Sequence, residues 1–230
     1  MIIFQDLANE VQAGEVISEE KTLSVIDLIL SGGTGSIVII SVLFAMLAVA
    51  LYIYFERLLA IKAASTIDKN FMNQIRDHVM NGKLEAAKIL CAQTDSPVAR
   101  LTEKGVSRIG KPLDDINAAI ENAGTLEVYK LEKNVNILAT VAGAAPMIGF
   151  LGTVIGMILA FHQMASSGGQ AEMGALASGI YTAMTTTVAG LVVGIIAYMG
   201  YNHLVNRTDK VIHKMEANAV DFLDLLNEPV

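Results

Sequence analysis

Cysteine, proline and charge are all scarce in this chain. Cys91 is the single cysteine, so no disulfide can form within the chain, and four prolines among 230 residues exclude a collagen-like or proline-rich disordered polymer. Charged residues make up 17% against about 25% in soluble domains, while hydrophobic residues reach 53% and mean hydropathy is +0.51. That balance excludes an ordinary soluble domain. The charge that is present sums to −7, from 16 basic and 23 acidic residues, and repels phosphate backbones, so nucleic acid is not an expected ligand. Phosphate-binding glycine loops and nucleophile elbows are missing, and His78, His203 and His213 lie at no metal-ligand spacing. Neither an enzyme nor a cofactor or metal site is expected. What remains is a protein of the membrane.

A bilayer core of about 30 Å is crossed by about 20 residues of helix. Three uncharged runs are long enough: Ser36 to Phe55, Asn134 to Met164, and Ala175 to Tyr201. The residues SSGGQAEMG between the last two have the composition of a turn. The chain therefore divides into an outer segment 1–35, spans at 36–56, 134–164 and 175–202, a helical segment 57–133, a turn 165–174 and a C-terminal helix 203–230. Basic residues set the orientation, because cytoplasmic loops hold the Lys and Arg excess. Only Lys21 precedes the first span, twelve basic residues lie from Arg57 to Lys133, none lies between the last two spans, and three follow. This predicts the N-terminus outside and the C-terminus in the cytoplasm. The opening MIIFQDLANE has no basic n-region, so no cleaved signal peptide is expected, and the first span serves as the anchor. Leu23, Ile26 and Leu30 share a helical face in the outer segment, which predicts a short interfacial helix, with packing on the first span as the other reading.

Cap signals divide the cytoplasmic segment. Ser65-Thr66 can start a helix, Asn81-Gly82 can end it, Asp95-Ser96-Pro97 has the order of an N-cap followed by Pro at the first helical position, and Gly110-Lys111-Pro112 marks another boundary. From Leu113 no breaker appears, so this helix is predicted to run directly into the second span. The C-terminal segment reads as amphipathic, with Val211, Met215, Val220, Phe222 and Leu226 available for packing. Cys91 fits as a buried apolar filler. The expected architecture is all-α: three transmembrane helices above a helical cytoplasmic stalk.

Polar groups are costly in hydrocarbon, so chemistry is sought inside the spans. No Asp, Glu, Lys or Arg lies in any of the three uncharged runs, the first of which ends at Glu56-Arg57, and no carboxylate of this chain can hold a proton at mid-membrane. Hydroxyls are present at Thr140 and Thr153 in the second span, and at Thr182, Thr185, Thr186 and Thr187 in the third. At about 100° per residue, Gly179, Thr182, Thr186, Gly190 and Val193 fall along one face, flanked by Ala183, Thr187 and Gly194. Gly149, Gly152, Thr153 and Gly156 recur at spacings of three and four, which lets another helix backbone approach closely. A single intramembrane Thr commonly serves packing by returning its hydroxyl to a carbonyl one turn back. Three consecutive Thr span about 200° of the helix, so at least one is predicted to face an aqueous lumen. Pro146 frees a carbonyl in the second span, which can kink the helix or hydrate it. His162, at the outer end of that span, reads as a boundary residue or a proton relay.

These residues carry a resemblance. PMIGFLGTVIGM in the second span and GIYTAMTTTVAGLVVGIIAYMGYN in the third resemble the two core motifs of the ExbB/TolQ/MotA family of proton-driven motor subunits, most of all its ExbB branch. With topology included, the likeness covers residues 22 to 215. It implies a multi-pass protein of the bacterial inner membrane, its N-terminus periplasmic, assembled as a ring, usually a pentamer, around ExbD-type single-span helices. In the family the partner's membrane Asp carries the proton, and the motor works on a TonB-type protein. The family's pore-lining Thr residues fall on Thr153 and Thr187, and the sequence face adds Thr182 and Thr186 to the predicted ion pathway. Pro146, Gly149, Gly152, Gly156 and Gly190 are the predicted packing and kink positions. Many relatives have Glu where this chain has Thr182, a replacement that leaves the ring without charge in the membrane. The resemblance extends to TolQ-like envelope maintenance and other stators. A fourth span, as in MotA, is not found, and a non-conducting helical scaffold is the alternative outside the family's function.

Overall fold

A computed structural model describes residues 33–66, 68, 70–166 and 173–227. In chain order the helices are α1 (Gly33–Ala64), α2 (Phe71–Met80), α3 (Leu84–Gln93), α4 (Pro97–Val106), α5 (Leu113–Glu132), α6 (Val135–Ser166) and α7 (Met173–Asn227). No strand occurs among the described residues. Three of these helices, α1, α6 and α7, are long and apolar enough to cross a membrane. The fold is therefore all-α with three membrane-spanning helices, as the composition and uncharged runs predict. The expected interfacial helix around Leu23, Ile26 and Leu30 lies outside the described residues.

Length decides what else these helices build. At 1.5 Å per residue the 55 residues of α7 extend about 80 Å, well beyond a hydrocarbon layer of about 30 Å. The third span and the C-terminal amphipathic segment are thus one helix, and its far half becomes the stem against which the shorter helices pack. Two apolar clusters follow. In the membrane, Leu43 and Ala50 of α1 pack with Val141 and Ala145 of α6 and Val193 and Ala197 of α7. Beyond the spans, Ile61 of α1, Phe71 and Ile75 of α2, Cys91 of α3, Leu101 and Val106 of α4, Ile120 of α5 and Val211, Met215 and Phe222 of α7 share one core. The Phe222 ring lies where a Cβ on Gly105 would stand, so α4 meets the stem at van der Waals distance only because that residue is glycine. Cys91 is buried, and that burial, with Glu103 nearby, pushes its thiol up to about 12, in keeping with an inert apolar filler.

The helix boundaries follow local chemistry. Ser96 Oγ accepts from Ala99 N at 3.1 Å and Pro97 is the first residue of α4, as predicted. Gly82 (φ +68°) and Gly110 (φ +95°) adopt the left-handed backbone that lets the chain turn after α2 and after α4. Three expectations are corrected. Ser65 and Thr66 close α1 instead of opening α2: both hydroxyls donate back to Lys62 O, at 2.9 and 3.1 Å, while α2 begins after Asn70, whose N donates to Asp68 Oδ1. The helix from Leu113 does not run on into the second span. It stops at Glu132, and Asn134 takes φ +63°, a left-handed conformation that asparagine tolerates better than most residues. Finally, Val220 is 56% exposed whereas Val211, Met215 and Phe222 are buried, because two residues from Phe222 is a rotation of about 200°.

An ion network outside the spans ties α4 to α5. Glu127, with its side chain 6% exposed, accepts from Arg100 at 2.7 Å and from Lys130 at 2.6 Å, and Arg100 also donates to Asp95. Burial alone would raise the Glu127 carboxyl, but the hydrogen bonds from Arg100 and Lys130 hold it below the usual carboxylate range. The stabilisation is then complete above the unfolded carboxylate value of about 4.3 and is lost as the pH falls through the lower folded value. Glu127→Gln is expected to reduce stability by about 1–3 kcal/mol at pH 7, with the difference closing in strong acid. Denaturation of the detergent-solubilised protein at both pH values measures it, and an unchanged gap in acid contradicts the assignment. At the membrane boundary Arg57, buried and paired with Glu56, donates to Lys130 O at 3.3 Å and fastens α1 to the end of α5.

Candidate functional site

The site begins with glycine. A Cβ added to Gly190 would stand 2.5 Å from Ala145 O and 2.9 Å from Gly149 Cα, and one added to Gly149 would stand 2.7 Å from Thr186 O. Backbone therefore lies directly on backbone where α6 and α7 cross. The same seam continues toward the C-terminal end of α6: a Cβ on Gly152 would overlap the Thr186 hydroxyl, and one on Gly156 would meet Ala183 Cβ at 2.6 Å. Gly149, Gly152, Gly156 and Gly190 thus all lie where α6 and α7 approach most closely. Pro146 sits within an uninterrupted α6, and its ring lies against Gly194, where a Cβ would come within 2.7 Å of Pro146 Cγ. Gly194 and the Gly179–Ala160 contact were not among the predicted seam positions, although both glycines fall on or beside the predicted face.

The close approach brings hydroxyls of the two spans together. Thr153 Oγ1 and Thr187 Oγ1 are 3.3 Å apart, with either able to donate. Thr187 also reaches Gly149 O at 3.1 Å, and Thr153 reaches Phe150 O at 2.6 Å. Both side chains are half-buried and lie near the middle of their uncharged runs. Each hydroxyl has one proton and two lone pairs, so the pair presents acceptors to a group on its open side, and a donor once a bond to Phe150 O or Gly149 O is released. That versatility suits a partner that alternates between carboxylic acid and carboxylate.

The other hydroxyls do not join this pair. Thr186 is fully buried, between Ala183 O at 2.7 Å and Gly149 O at 3.1 Å, and this position sets it in the helix seam, away from any open face. The expectation of Thr186 on an ion pathway is corrected on that ground: a residue enclosed by the α6–α7 crossing has no side left for water. Thr182 is half-buried two turns of helix from Gly190 and apart from the Thr153–Thr187 contact. Thr140 and Thr185 return their hydroxyls to Asn136 O and Tyr181 O, the packing behaviour of a single Thr.

By helical spacing, the face carrying Thr153 and Thr187 continues along Phe150, Pro146 and Gly143 on α6 and along Leu191, Gly194 and Tyr198 on α7. There the two helices leave a groove of about 450 Å³, lined by Ala142, Pro146, Leu191, Gly194 and Tyr198 among others. The groove is apolar and begins one helical turn from Thr187, at Leu191, and neither hydroxyl of the pair lines it. Among the described residues no group of His, Cys, Asp and Glu is placed to hold a metal.

Comparison with known proteins gives the family. Residues 93–217 match the model of the MotA/TolQ/ExbB proton channel family. A putative biopolymer transport protein ExbB homolog from Methanothermobacter thermautotrophicus is 32% identical over 135 residues, 59% of this chain and 47% of that protein. The Tol-Pal system protein TolQ of Haemophilus influenzae is 31% identical over 199 residues, 82% of this chain and 84% of TolQ. The biopolymer transport protein ExbB of Xanthomonas campestris is 34% identical over 109 residues, 47% of this chain and 43% of that protein. The chain thus spans somewhat under half the length of these ExbB relatives but most of TolQ. The family match takes in α4 through most of α7, including every residue of the α6–α7 seam and the hydroxyl pair, and the chain belongs to the MotA/TolQ/ExbB proton channel family.

Proposed function

We propose that this chain is an ExbB-like subunit of a motor driven by the proton-motive force, with Thr153 and Thr187 as the polar lining of its ion path. One observation carries the reading: two half-buried hydroxyls in contact at mid-span, in a chain whose uncharged runs hold no carboxylate. The titrating group must then come from another polypeptide, and an ExbD-type single-span helix with an Asp at that depth supplies it. The hydroxyls accept a hydrogen bond from the protonated acid and donate to the ionised form, which lowers the cost of ionising it in a low-dielectric site. One charge crossing the membrane potential releases about 2.3 kcal/mol per 100 mV, several times thermal energy, and this is the work available for motion. Thr182, on the same helix, is a further polar contact where many relatives have Glu.

In this reading the chain is a multi-pass inner-membrane protein, N-terminus periplasmic and C-terminus cytoplasmic. Copies form a ring, a pentamer, around the partner helices, and the motor energises a TonB-type protein for outer-membrane transport. A second service, TolQ-like envelope maintenance, is favoured by the relative length matched, 84% of the Haemophilus TolQ. Copurification followed by mass spectrometry decides between the two from the single-span protein retained. The decisive test of the shared mechanism is proton flux in vesicles holding this chain with and without that partner. Flux that requires both is expected; none under any energisation supports the non-conducting scaffold.

A further inference from the structure

Beside the ion path, a second pair of helices builds a site of a different chemistry. Just beyond the spans, α1 and α7 enclose a cleft of about 410 Å³ into which Lys62, Arg207, Lys210 and Lys214 project. Its floor is apolar, from Leu58, Ile61 and Val211, and no carboxylate lines it. Four cations share this cavity in a chain whose net charge is −7. Like charges at such proximity repel, and they are offset only by solvent or by a bound anion. Lys214 Nζ donates to Ser65 O across the cleft at 3.3 Å, and Arg207 Nε faces His203 Nε2 at 3.4 Å, so part of the cluster is already held in place.

Position identifies the anion. The uncharged runs end at Phe55 on α1 and at Tyr201 on α7. Lys62 and Arg207 therefore stand about 10 Å beyond the hydrocarbon by helical rise, and their long side chains can reach back into a headgroup layer about 5–8 Å thick. On the membrane side the same two helices, together with Leu138 of α6, form a second cleft, of about 330 Å³, lined by Leu51, Tyr54, Phe55, Met199 and His203 among others. Residues 51, 54, 58, 61 and 65 of α1 lie on one helical stripe, as do 196, 199, 203, 207, 210 and 214 of α7. An apolar cleft inside the bilayer thus leads directly into a basic cleft at headgroup depth, with Tyr54 and His203 in edge contact at the border, ring centroids 6.0 Å apart.

We propose that this stripe binds one anionic phospholipid, its phosphodiester among Lys62, Arg207 and Lys210 and an acyl chain along the cleft above. Lys214, about 20 Å beyond the hydrocarbon by helical rise, is held to Ser65 O at the far end of the cleft. The inference is independent of proton conduction and stands or falls by lipid binding alone. The protein in neutral detergent is titrated with phosphatidylglycerol, with phosphatidylcholine of the same chains, and with inorganic phosphate, and bound lipid is read by native mass spectrometry. About tenfold preference for phosphatidylglycerol over phosphatidylcholine is expected, lost in Lys62→Gln/Lys210→Gln. The triple variant Lys83→Gln/Arg108→Gln/Lys111→Gln, which removes cations outside the cleft, is expected to retain the preference. Helicity of both variants is checked by circular dichroism; if the first is misfolded, Arg207→Gln alone is read the same way, with the same loss expected. Equal retention of the two lipids, an unchanged preference in the cleft variants, or displacement of phosphatidylglycerol by an equal concentration of inorganic phosphate overturns the proposal.

Discussion

Thr187→Val is expected to leave the folded chain and its assembly intact while cutting partner-dependent proton flux by about tenfold to a hundredfold. Valine preserves the branched shape, so the α6–α7 seam keeps its packing. What it removes is the hydroxyl that reaches Gly149 O at 3.1 Å and Thr153 Oγ1 at 3.3 Å. Losing a neutral hydrogen bond costs about 0.5–1.5 kcal/mol of stability, which a folded chain can absorb, whereas losing one to a charged group costs about 1.5–3 kcal/mol. If the charged group is the partner's carboxylate in the transition state, each 1.4 kcal/mol is about a factor of ten in rate. Thr153→Val is expected to act likewise. Thr186→Val supplies the contrast, because that hydroxyl is enclosed between Ala183 O and Gly149 O, and its loss should lower stability while sparing flux. Full flux in vesicles with both Thr153→Val and Thr187→Val would remove these hydroxyls from the mechanism.

The second large effect is on the fold. Gly190→Leu forces a side chain into a space where even a Cβ would stand 2.5 Å from Ala145 O and 2.9 Å from Gly149 Cα. Both neighbours are backbone, so neither can rotate away, and the two helices must separate. The expected loss is at least about 3 kcal/mol, above the usual range for an overpacked core, with Gly190→Ala nearer 1–3 kcal/mol. Gly143 lies on the same helix as Gly149 but has no neighbouring atom within 4 Å of an added Cβ, so Gly143→Ala should leave the single chain's stability unchanged. Thermal melting followed by circular dichroism in detergent distinguishes the three. A melting point for Gly190→Leu equal to that of the parent would mean that the seam is not where the spans hold together.

Parts of this arrangement are legible from residue order. Uncharged runs gave the three spans because charge in hydrocarbon is costly, and Ser96-Pro97, Gly82 and Gly110 marked turns because their chemistry is local. The glycine spacing in the second span pointed to a close helix contact for the same reason. The break at Asn134 was not legible, since neither Gly nor Pro stands there and asparagine only permits a left-handed conformation without requiring it. Ser65 and Thr66 misled because a hydroxyl can open one helix or close another, and which it does depends on where the chain goes next.

By itself the sequence determined an all-helical membrane chain with no acid of its own in the spans, and it narrowed the polar candidates to a few threonines. Which threonines meet was a matter for tertiary structure alone. Thr186 and Thr187 are chemically identical neighbours, yet a rotation of about 100° between them encloses one hydroxyl in the seam and leaves the other half-buried against Thr153. The same holds for the cations. Lys62 is separated from Arg207 by most of the chain, and only the pairing of α1 with α7 brings both to one cleft, because long-range packing, not local propensity, fixes which faces of two helices meet.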